Sequence, residues 1–129
     1  LATIDRGATT IWEDWNGVDE RGRPHMSYNH YSKGAVVTFL HQYVGGIRPH
    51  PRPDATAAGY RRFVIAPRPG GGLTTATARH ESPHGAITSR WEHHGSDFTL
   101  TVDVPPGTRA EIRLPGSEPF DAAPGTHTY

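Results

Sequence analysis

The sequence contains no cysteine among its 129 residues. Disulfide bonds and thiolate metal sites are therefore excluded. The absence of cysteine does not indicate whether the protein works in an oxidising or a reducing compartment. The sequence also lacks a net charge, because thirteen Lys and Arg balance thirteen Asp and Glu, and Lys33 is the only lysine. Nucleic-acid binding normally requires an excess of basic residues, so we predict no nucleic-acid partner.

Long apolar runs are also absent. None approaches the roughly 20 residues that a membrane-spanning helix needs, so we predict no membrane partner. The sequence begins with Leu1, and its only methionine is Met26. We therefore expect an excerpt of a longer protein rather than a complete translation product.

The first third of the chain carries the helical signal. Residues 28–44 predict one helix, which Gly45 and Gly46 end. One helix cannot bury a wide apolar stripe alone, and residues 1–28 supply at most one further short element. The missing partner helices are a second reason to expect a fragment. The stripe consists of Tyr31, Ala35, Val36, Phe39, Leu40, Tyr43 and Val44.

The rest of the chain predicts strands that follow a proline-rich linker. Residues 48–59 contain three alternating prolines, which favour extended backbone. Residues 60–129 contain five or six short runs with the period-two alternation of half-buried strands, and residues 94–97 predict a hairpin turn. We predict an antiparallel β-sandwich, with Trp91 in its core because it shares a strand face with Ile87.

Residues 11–17 (IWEDWNG) have the composition of a carbohydrate site. Sugars stack their apolar C–H faces on indole rings, and their hydroxyls donate hydrogen bonds to carboxylates. Trp12 and Trp15 flank Glu13, and His30 lies at the start of the predicted helix, where backbone N–H groups can reach a ligand. The residues alone leave another interpretation open, in which Trp12 is a core residue, Glu13 a solvated carboxylate and His30 a helix cap.

Histidine is abundant, with nine residues, but its spacing does not suit a metal site. Pro83 lies between His80 and His84 and prevents a helix from presenting both imidazoles on one face. Residues 70–72 (GGG) are followed by neither a helix nor the Lys-Ser/Thr pair of a phosphate-binding loop. We therefore predict no metal and no cofactor.

Several segments, taken together and in order, resemble one enzyme family. The sequence resembles the C-terminal part of glycoside hydrolase family 78, the bacterial α-L-rhamnosidases. Each segment alone would be weak evidence, but the combination covers nearly the whole chain and is specific. The segments are residues 7–15 (GATTIWEDW), 29–31 (NHY) with 34–36 (GAV), 59–73 (GYRRFVIAPRPGGGL), 82–85 (SPHG) and 104–108 (VPPGT).

The resemblance implies an α + β fragment. Residues 1–47 would be the C-terminal end of an (α/α)6 catalytic barrel, residues 48–59 a linker and residues 60–129 a C-terminal antiparallel β-sandwich. The family hydrolyses terminal α-L-rhamnosides with inversion. The implied partners are rhamnose-containing glycosides and the upstream catalytic barrel of the same parent chain.

The resemblance also implies roles for individual residues. Glu13 matches the general base of the family, and His30 matches the histidine that contacts rhamnose. We expect Trp15 and Trp12 to bind substrate as walls of the pocket. Asp14 departs from the family, in which arginine is frequent at this position. No residue matches the general acid, which lies upstream in the family, so we expect the isolated chain to be inactive.

Two other functions fit the same residues less well. Residues 60–129 could form a non-catalytic carbohydrate-binding module, which exposed aromatic residues on the sandwich would favour; Trp91 is the obvious candidate. Alternatively, they could form a structural β-sandwich module of another helical-barrel glycosidase, which would not require Glu13 and His30 together.

Overall fold

The computed structural model describes residues 2–52 and 54–129. Pro53, one of the three prolines of the predicted linker, lies outside the described residues. The chain divides into two compact units, Leu1–Thr38 and Phe39–Tyr129. The two units differ in what holds them together.

The first unit contains little regular structure. Its helices are α1 (Ala2–Asp5) and α2 (Tyr31–Gly34), and α3 (Val36–Phe39) begins within it. Two backbone hydrogen bonds join the segment around residue 12 to the segment before α2. The Glu13 N–H donates to the Ser27 carbonyl at 2.8 Å, and the His30 N–H donates to the Ile11 carbonyl at 2.9 Å.

The first unit has no hydrophobic core in the part that the structure describes. Every buried hydrophobic side chain among the described residues belongs to Phe39–Tyr129. Polar contacts and backbone hydrogen bonds therefore hold the first unit together, with little help from burial of apolar surface. Its large apolar residues are exposed instead: Ile4, Ile11, Trp15, Val18, Met26, Tyr31, Val36 and Val37.

The helix predicted over residues 28–44 is broken in the structure. Over this stretch α2 and α3 span four residues each, and a π-helix covers Leu40–Val44. Gly34 ends α2, and β-branched Val36, Val37 and Thr38 follow, all poor helix formers. Helices this short gain most of their stability from packing, and the apolar stripe is largely exposed. The prediction of one continuous helix was therefore wrong in its continuity.

The second unit is a sandwich of two four-stranded sheets. One sheet has the order β1-β2-β6-β7, and the other has the order β3-β4-β5-β8. A 3₁₀-helix, Ala58–Tyr60, precedes β2. The strands are β1 (Ile47–Pro49), β2 (Arg62–Ile65), β3 (Thr75–Ser82), β4 (Gly85–His94), β5 (Asp97–Val104), β6 (Arg109–Ile112), β7 (Phe120–Ala122) and β8 (Gly125–Thr128).

Strand β1 begins the sandwich before the predicted linker ends. It contains three residues. We predict from the sequence that Ile47 ends the helical part and that Arg48 and Pro49 begin the linker. Each pairs with a residue of β2, and Ile47 lies opposite Ile65. Ile47 is fully buried, so burial of this side chain contributes to the stability of the sheet.

The sandwich is antiparallel at every strand pair except one. Strands β2 and β6 are parallel, with Phe63 opposite Ala110 and Ile65 opposite Ile112. The predicted antiparallel pairing holds for the other strand pairs and not for this one. Parallel neighbours require a long connection, and here the connection runs through β3, β4 and β5 of the other sheet. Residue alternation reveals which residues lie in strands, but it does not reveal this topology.

The core lies between the two sheets and confirms the predicted pattern. Trp91 is fully buried beside Ile87, and Gly95 and Ser96 form the tight turn between β4 and β5. The Trp91 indole donates to the Val44 carbonyl at 2.7 Å, which satisfies its polar N–H inside the core. The buried core residues are Ile47, Phe63, Ile65, Ile87, Trp91, Leu100, Val102, Val104, Ala110, Ile112 and Ala122.

Candidate active site

The Glu13 carboxylate is held by two contacts within the first unit. The Ser27 backbone N–H donates to Glu13 Oε2 at 3.1 Å. The His30 Nε2 atom lies 3.7 Å from Glu13 Oε1. The Glu13 side chain is 36% exposed, so one oxygen is hydrogen-bonded, the other lies near the imidazole, and the carboxylate is still open to solvent. Residues 13 and 30, predicted to act together, are thus brought side by side.

His30 also caps helix α2. Its Nδ1 accepts a hydrogen bond from the Lys33 N–H at 3.3 Å. Because Nδ1 is the acceptor, the neutral imidazole carries its proton on Nε2, the nitrogen that faces Glu13. The two interpretations left open by the sequence, helix cap and site residue, are therefore compatible, because they use different nitrogens of one ring.

The two tryptophans have different surroundings. The Trp12 ring stacks on Tyr28, with 4.5 Å between ring centroids and 18° between planes. Its other contact is Gly17, which is buried; a Cβ there would lie 2.2 Å from the Trp12 ring. Trp15 is 72% exposed and is the tryptophan of this unit that offers a largely free ring. Trp12 is half-buried by its stacking partner.

Lys33 connects helix α2 to the segment that carries Glu13. Its Nζ donates to the carbonyl of Glu13, and also to that of Trp12 at 3.3 Å. The same ammonium lies 5.4 Å from the centroid of the Trp15 ring, within reach of a cation–π attraction. No motif in the sequence indicated this role of Lys33.

Asp14 occupies a position at which arginine is frequent in the family, and its side chain hydrogen-bonds to the nearby backbone. Its Oδ1 accepts from the Asn16 backbone N–H at 2.7 Å, the arrangement of an Asx turn. The Asn16 carbonyl in turn accepts from the Arg6 guanidinium at 2.8 Å. The carboxylate at position 14 therefore shapes the turn between Glu13 and Gly17.

A shallow depression of about 330 Å³ opens beside His30. Among the described residues, Glu13, Trp12 and Trp15 do not line it. The residues that do are Thr10, Ile11, Asn29, His30, Tyr31 and Gly34. The first unit alone therefore offers part of a site rather than an enclosed one.

The described residues offer neither a metal site nor a membrane-spanning helix. Within residues 2–52 and 54–129, no group of three or more His, Asp or Glu side chains could hold a metal ion. Over the same ranges, no helix is long and apolar enough to cross a membrane.

Comparison with known proteins identifies the family. Residues 46–127 match the family model of the bacterial alpha-L-rhamnosidase C-terminal domain. The chain belongs to the bacterial α-L-rhamnosidase family. Residues 1–44 match the model of the 6 hairpin glycosidase domain of bacterial α-L-rhamnosidases.

Individual α-L-rhamnosidases are similar along nearly the whole chain. One from Streptomyces avermitilis is 41% identical over 128 residues, which is 96% of this chain and 12% of that protein. One from Formosa agariphila is 40% identical over 117 residues, which is 88% of this chain and again 12% of the relative. The chain thus spans about an eighth of the length of these curated relatives.

Solved α-L-rhamnosidase structures share the fold. The native enzyme from Aspergillus terreus superposes with a TM-score of 0.80 at 36% identity, covering 98% of this chain and 15% of that one. The Streptomyces avermitilis enzyme complexed with L-rhamnose gives a TM-score of 0.77 at 35% identity, covering 98% of this chain and 14% of that one.

Proposed function

We propose that this chain is the C-terminal part of an inverting α-L-rhamnosidase and that it supplies the general base, Glu13. In this proposal the residues up to 47 are the last helical strip of an (α/α)6 catalytic barrel, residues 48–59 a linker and residues 60–129 the C-terminal sandwich. The substrates are rhamnose-containing glycosides. The observation that carries the proposal is the Glu13 carboxylate, which accepts a hydrogen bond from the Ser27 N–H, lies beside His30 and is open to solvent.

Inversion requires two carboxyl groups on opposite faces of the sugar. One protonates the leaving oxygen while the other deprotonates a water, and the two stand roughly 6.5–9.5 Å apart to leave room for that water. Glu13 takes the water-activating role. One oxygen accepts from Ser27 N, and solvent access leaves lone pairs free to accept a water proton. The general acid comes from the upstream barrel of the parent chain.

His30 orients this base and contacts the sugar. Its Nε2–H points toward Glu13 Oε1, while Nδ1 is fixed by the start of helix α2. A ring that is held on one side and donates on the other can steady the carboxylate or bind a rhamnose hydroxyl. Trp15 is the main aromatic wall, since its ring is exposed. Trp12 supports the wall through its stack on Tyr28.

The exposed apolar residues of the first unit support its place in a larger barrel. Tyr31 is 87% exposed, and Val37 is 60% exposed. In a barrel, neighbouring helices would cover such side chains. The alternative of a carbohydrate-binding sandwich receives no such support, because Trp91 is fully buried and presents no ring to a sugar.

The proposal is tested by Glu13→Gln in the full-length enzyme. The amide keeps the shape of the carboxylate but cannot accept a proton from water, so we expect kcat on an aryl α-L-rhamnoside to fall by about 10²–10⁴-fold. Rhamnose binding, measured by calorimetry, should be retained. Asp14→Asn is the matched control, because its carboxylate serves a turn and its loss should change kcat far less. A Glu13→Gln enzyme as active as Asp14→Asn would remove Glu13 from the mechanism.

A further inference from the structure

Two arginines of the sandwich unit lie against one tyrosine ring. The Arg48 guanidinium carbon lies 5.1 Å from the centroid of the Tyr43 ring, and that of Arg68 lies 5.4 Å from it. The Arg48 side chain also donates through Nη2 to the Ala66 carbonyl at 3.0 Å, and the Arg68 N–H donates to the Tyr43 carbonyl at 2.8 Å. Hydrogen bonds and the contact with the Tyr43 ring thus position both arginines.

A third arginine faces the same groove but is already neutralised. Arg113 pairs with Glu111 at 2.6 Å. His50 Nε2 lies 3.5 Å from the other oxygen of Glu111. Burial alone would raise the pKa of Glu111, but the hydrogen bond and charge of Arg113, with His50, outweigh burial and lower the pKa. Glu111 is therefore committed to these two partners.

The charges of Arg48 and Arg68 have no such compensation. Within residues 2–52 and 54–129, neither forms an ion pair with an Asp or Glu side chain. Burial, followed by the nearby charge of Arg68, lowers the pKa of Arg48, yet an arginine stays protonated at any ordinary pH. Two positive charges without an acidic partner thus remain beside the sheet that contains β1 and β2, and they would attract an anion.

The groove has the lining of a small organic acid site. It is a depression of about 380 Å³ in which arginines alternate with apolar walls. Guanidinium groups bind a planar carboxylate through paired hydrogen bonds, while the prolines and Leu114 suit the carbon skeleton attached to it. The lining residues are Arg48, Ala66, Pro67, Arg68, Pro69, Arg113, Leu114 and Pro115.

We propose that this groove binds a carboxylate, with Arg48 and Arg68 contacting the anion and Tyr43 orienting both guanidinium groups. The carboxylate comes from one of two sources that share this chemistry. It is either a free acidic sugar or an Asp or Glu side chain from another part of the parent enzyme. The proposal uses no residue of the first unit and does not depend on the catalytic role proposed for Glu13.

The first experiment titrates the 129-residue chain with sodium glucuronate at constant chloride concentration, following the Nε–Hε NMR signals of the arginines. We expect saturable shifts at Arg48 and Arg68, and none with the uncharged methyl ester. Loss of one charge-assisted contact in Arg68→Gln should weaken binding by about tenfold. Arg90→Gln is the control, since Arg90 is exposed and already paired with Glu92. Shifts that do not saturate, or that the methyl ester reproduces, overturn the proposal.

The second experiment distinguishes the two sources in the full-length enzyme. If glucuronate binds there as it binds the shorter chain, the site accepts a ligand from outside the protein. If glucuronate no longer binds, but Arg68→Gln lowers the Tm of the full-length enzyme more than it lowers that of the 129-residue chain, an internal carboxylate fills the groove. Either result supports a carboxylate site. Absence of both effects in the full-length enzyme contradicts it.

Discussion

At the residue scale, the imidazole of His30 joins the backbone of one helix to the carboxylate of another segment. Its Nδ1 accepts from the first turn of α2, and its Nε2 lies 3.7 Å from Glu13. A change at His30 therefore alters two things, the start of the helix and the surroundings of the base. A useful substitution must separate them.

We predict that His30→Ala in the full-length enzyme lowers kcat/KM for an aryl α-L-rhamnoside by about 10–100-fold, through both kcat and KM, without changing the stereochemical course. The reason is that a hydrogen bond to a charged group or a sugar hydroxyl contributes to substrate binding and is stronger in the transition state, so its loss affects both KM and kcat. Steady-state kinetics, with NMR detection of the first-formed anomer of rhamnose, measure both quantities.

The control is His30→Asn. Asparagine is among the preferred N-cap residues, so this variant keeps an acceptor for the Lys33 N–H, although its shorter side chain cannot reach Glu13. If His30→Asn is as impaired as His30→Ala, the contact with Glu13 or sugar matters. If His30→Asn restores normal kinetics, His30 is only a helix cap.

At the element scale, Trp91 ties strand β4 to the end of the π-helix. Its indole is fully buried and donates to the Val44 carbonyl at 2.7 Å. We predict that Trp91→Phe lowers the free energy of unfolding of the 129-residue chain by about 2–3 kcal/mol, because it leaves a buried carbonyl without a donor and a small cavity. Urea titration followed by far-ultraviolet circular dichroism measures the change.

Trp15→Phe provides the matched substitution. Trp15 is 72% exposed, so the same change of side chain should alter the free energy of unfolding by no more than about 0.5 kcal/mol. Equal effects of the two substitutions would show that the buried hydrogen bond of Trp91 does not stabilise the sandwich.

Some strands could be predicted from the sequence, whereas the parallel strand pair and the break in the helix could not. Strands β4 and β5 were predictable because side-chain alternation and a Gly-containing turn are local signals. The parallel pairing of β2 with β6 was not, since it depends on the path of the chain through the other sheet. The prediction of one continuous helix was wrong because it rested on the spacing of apolar residues alone. That spacing ignores the low helix propensity of Gly34 and of the β-branched residues after it.

The candidate site was predictable only in part, for a related reason. Glu13 and His30 came from the family resemblance, and the structure places them side by side. The donor that fixes the other Glu13 oxygen is the backbone N–H of Ser27, and a backbone group leaves no signature in residue identity. Lys33 acts on backbone carbonyls, so no pattern of side chains indicated it.

At the scale of the whole molecule, the two units differ in hydrophobic burial. Phe39–Tyr129 contains the buried core, whereas the described part of the first unit contains no buried hydrophobic side chain. We predict that the purified 129-residue chain does not hydrolyse an aryl α-L-rhamnoside. In the proposed inverting mechanism, a second carboxyl group from the upstream barrel is needed beside Glu13. Amide exchange should be slow in the sandwich strands and fast before Phe39.

Mass spectrometry of exchanged peptides, together with an activity assay of the same preparation, checks this prediction. The full-length enzyme serves as the positive control for the assay and should show slower exchange in residues 1–38, where barrel helices would cover the apolar side chains. Turnover with inversion by the short chain, or strong protection of residues 31–44 in a demonstrated monomer, would contradict it.

The parallel pairing of β2 with β6 sets an order of events during folding. Strands β3, β4 and β5 join through short turns, whereas β2 meets β6 only after the intervening chain has been brought back. Loop closure over such a separation is slow, so β3, β4 and β5 should pair in the transition state and β2 should pair with β6 afterwards. Leu100→Ala in β5 should then mainly slow refolding, and Ile112→Val in β6 should mainly accelerate unfolding. Stopped-flow measurements across a urea series would show the reverse pattern if the parallel pair formed first.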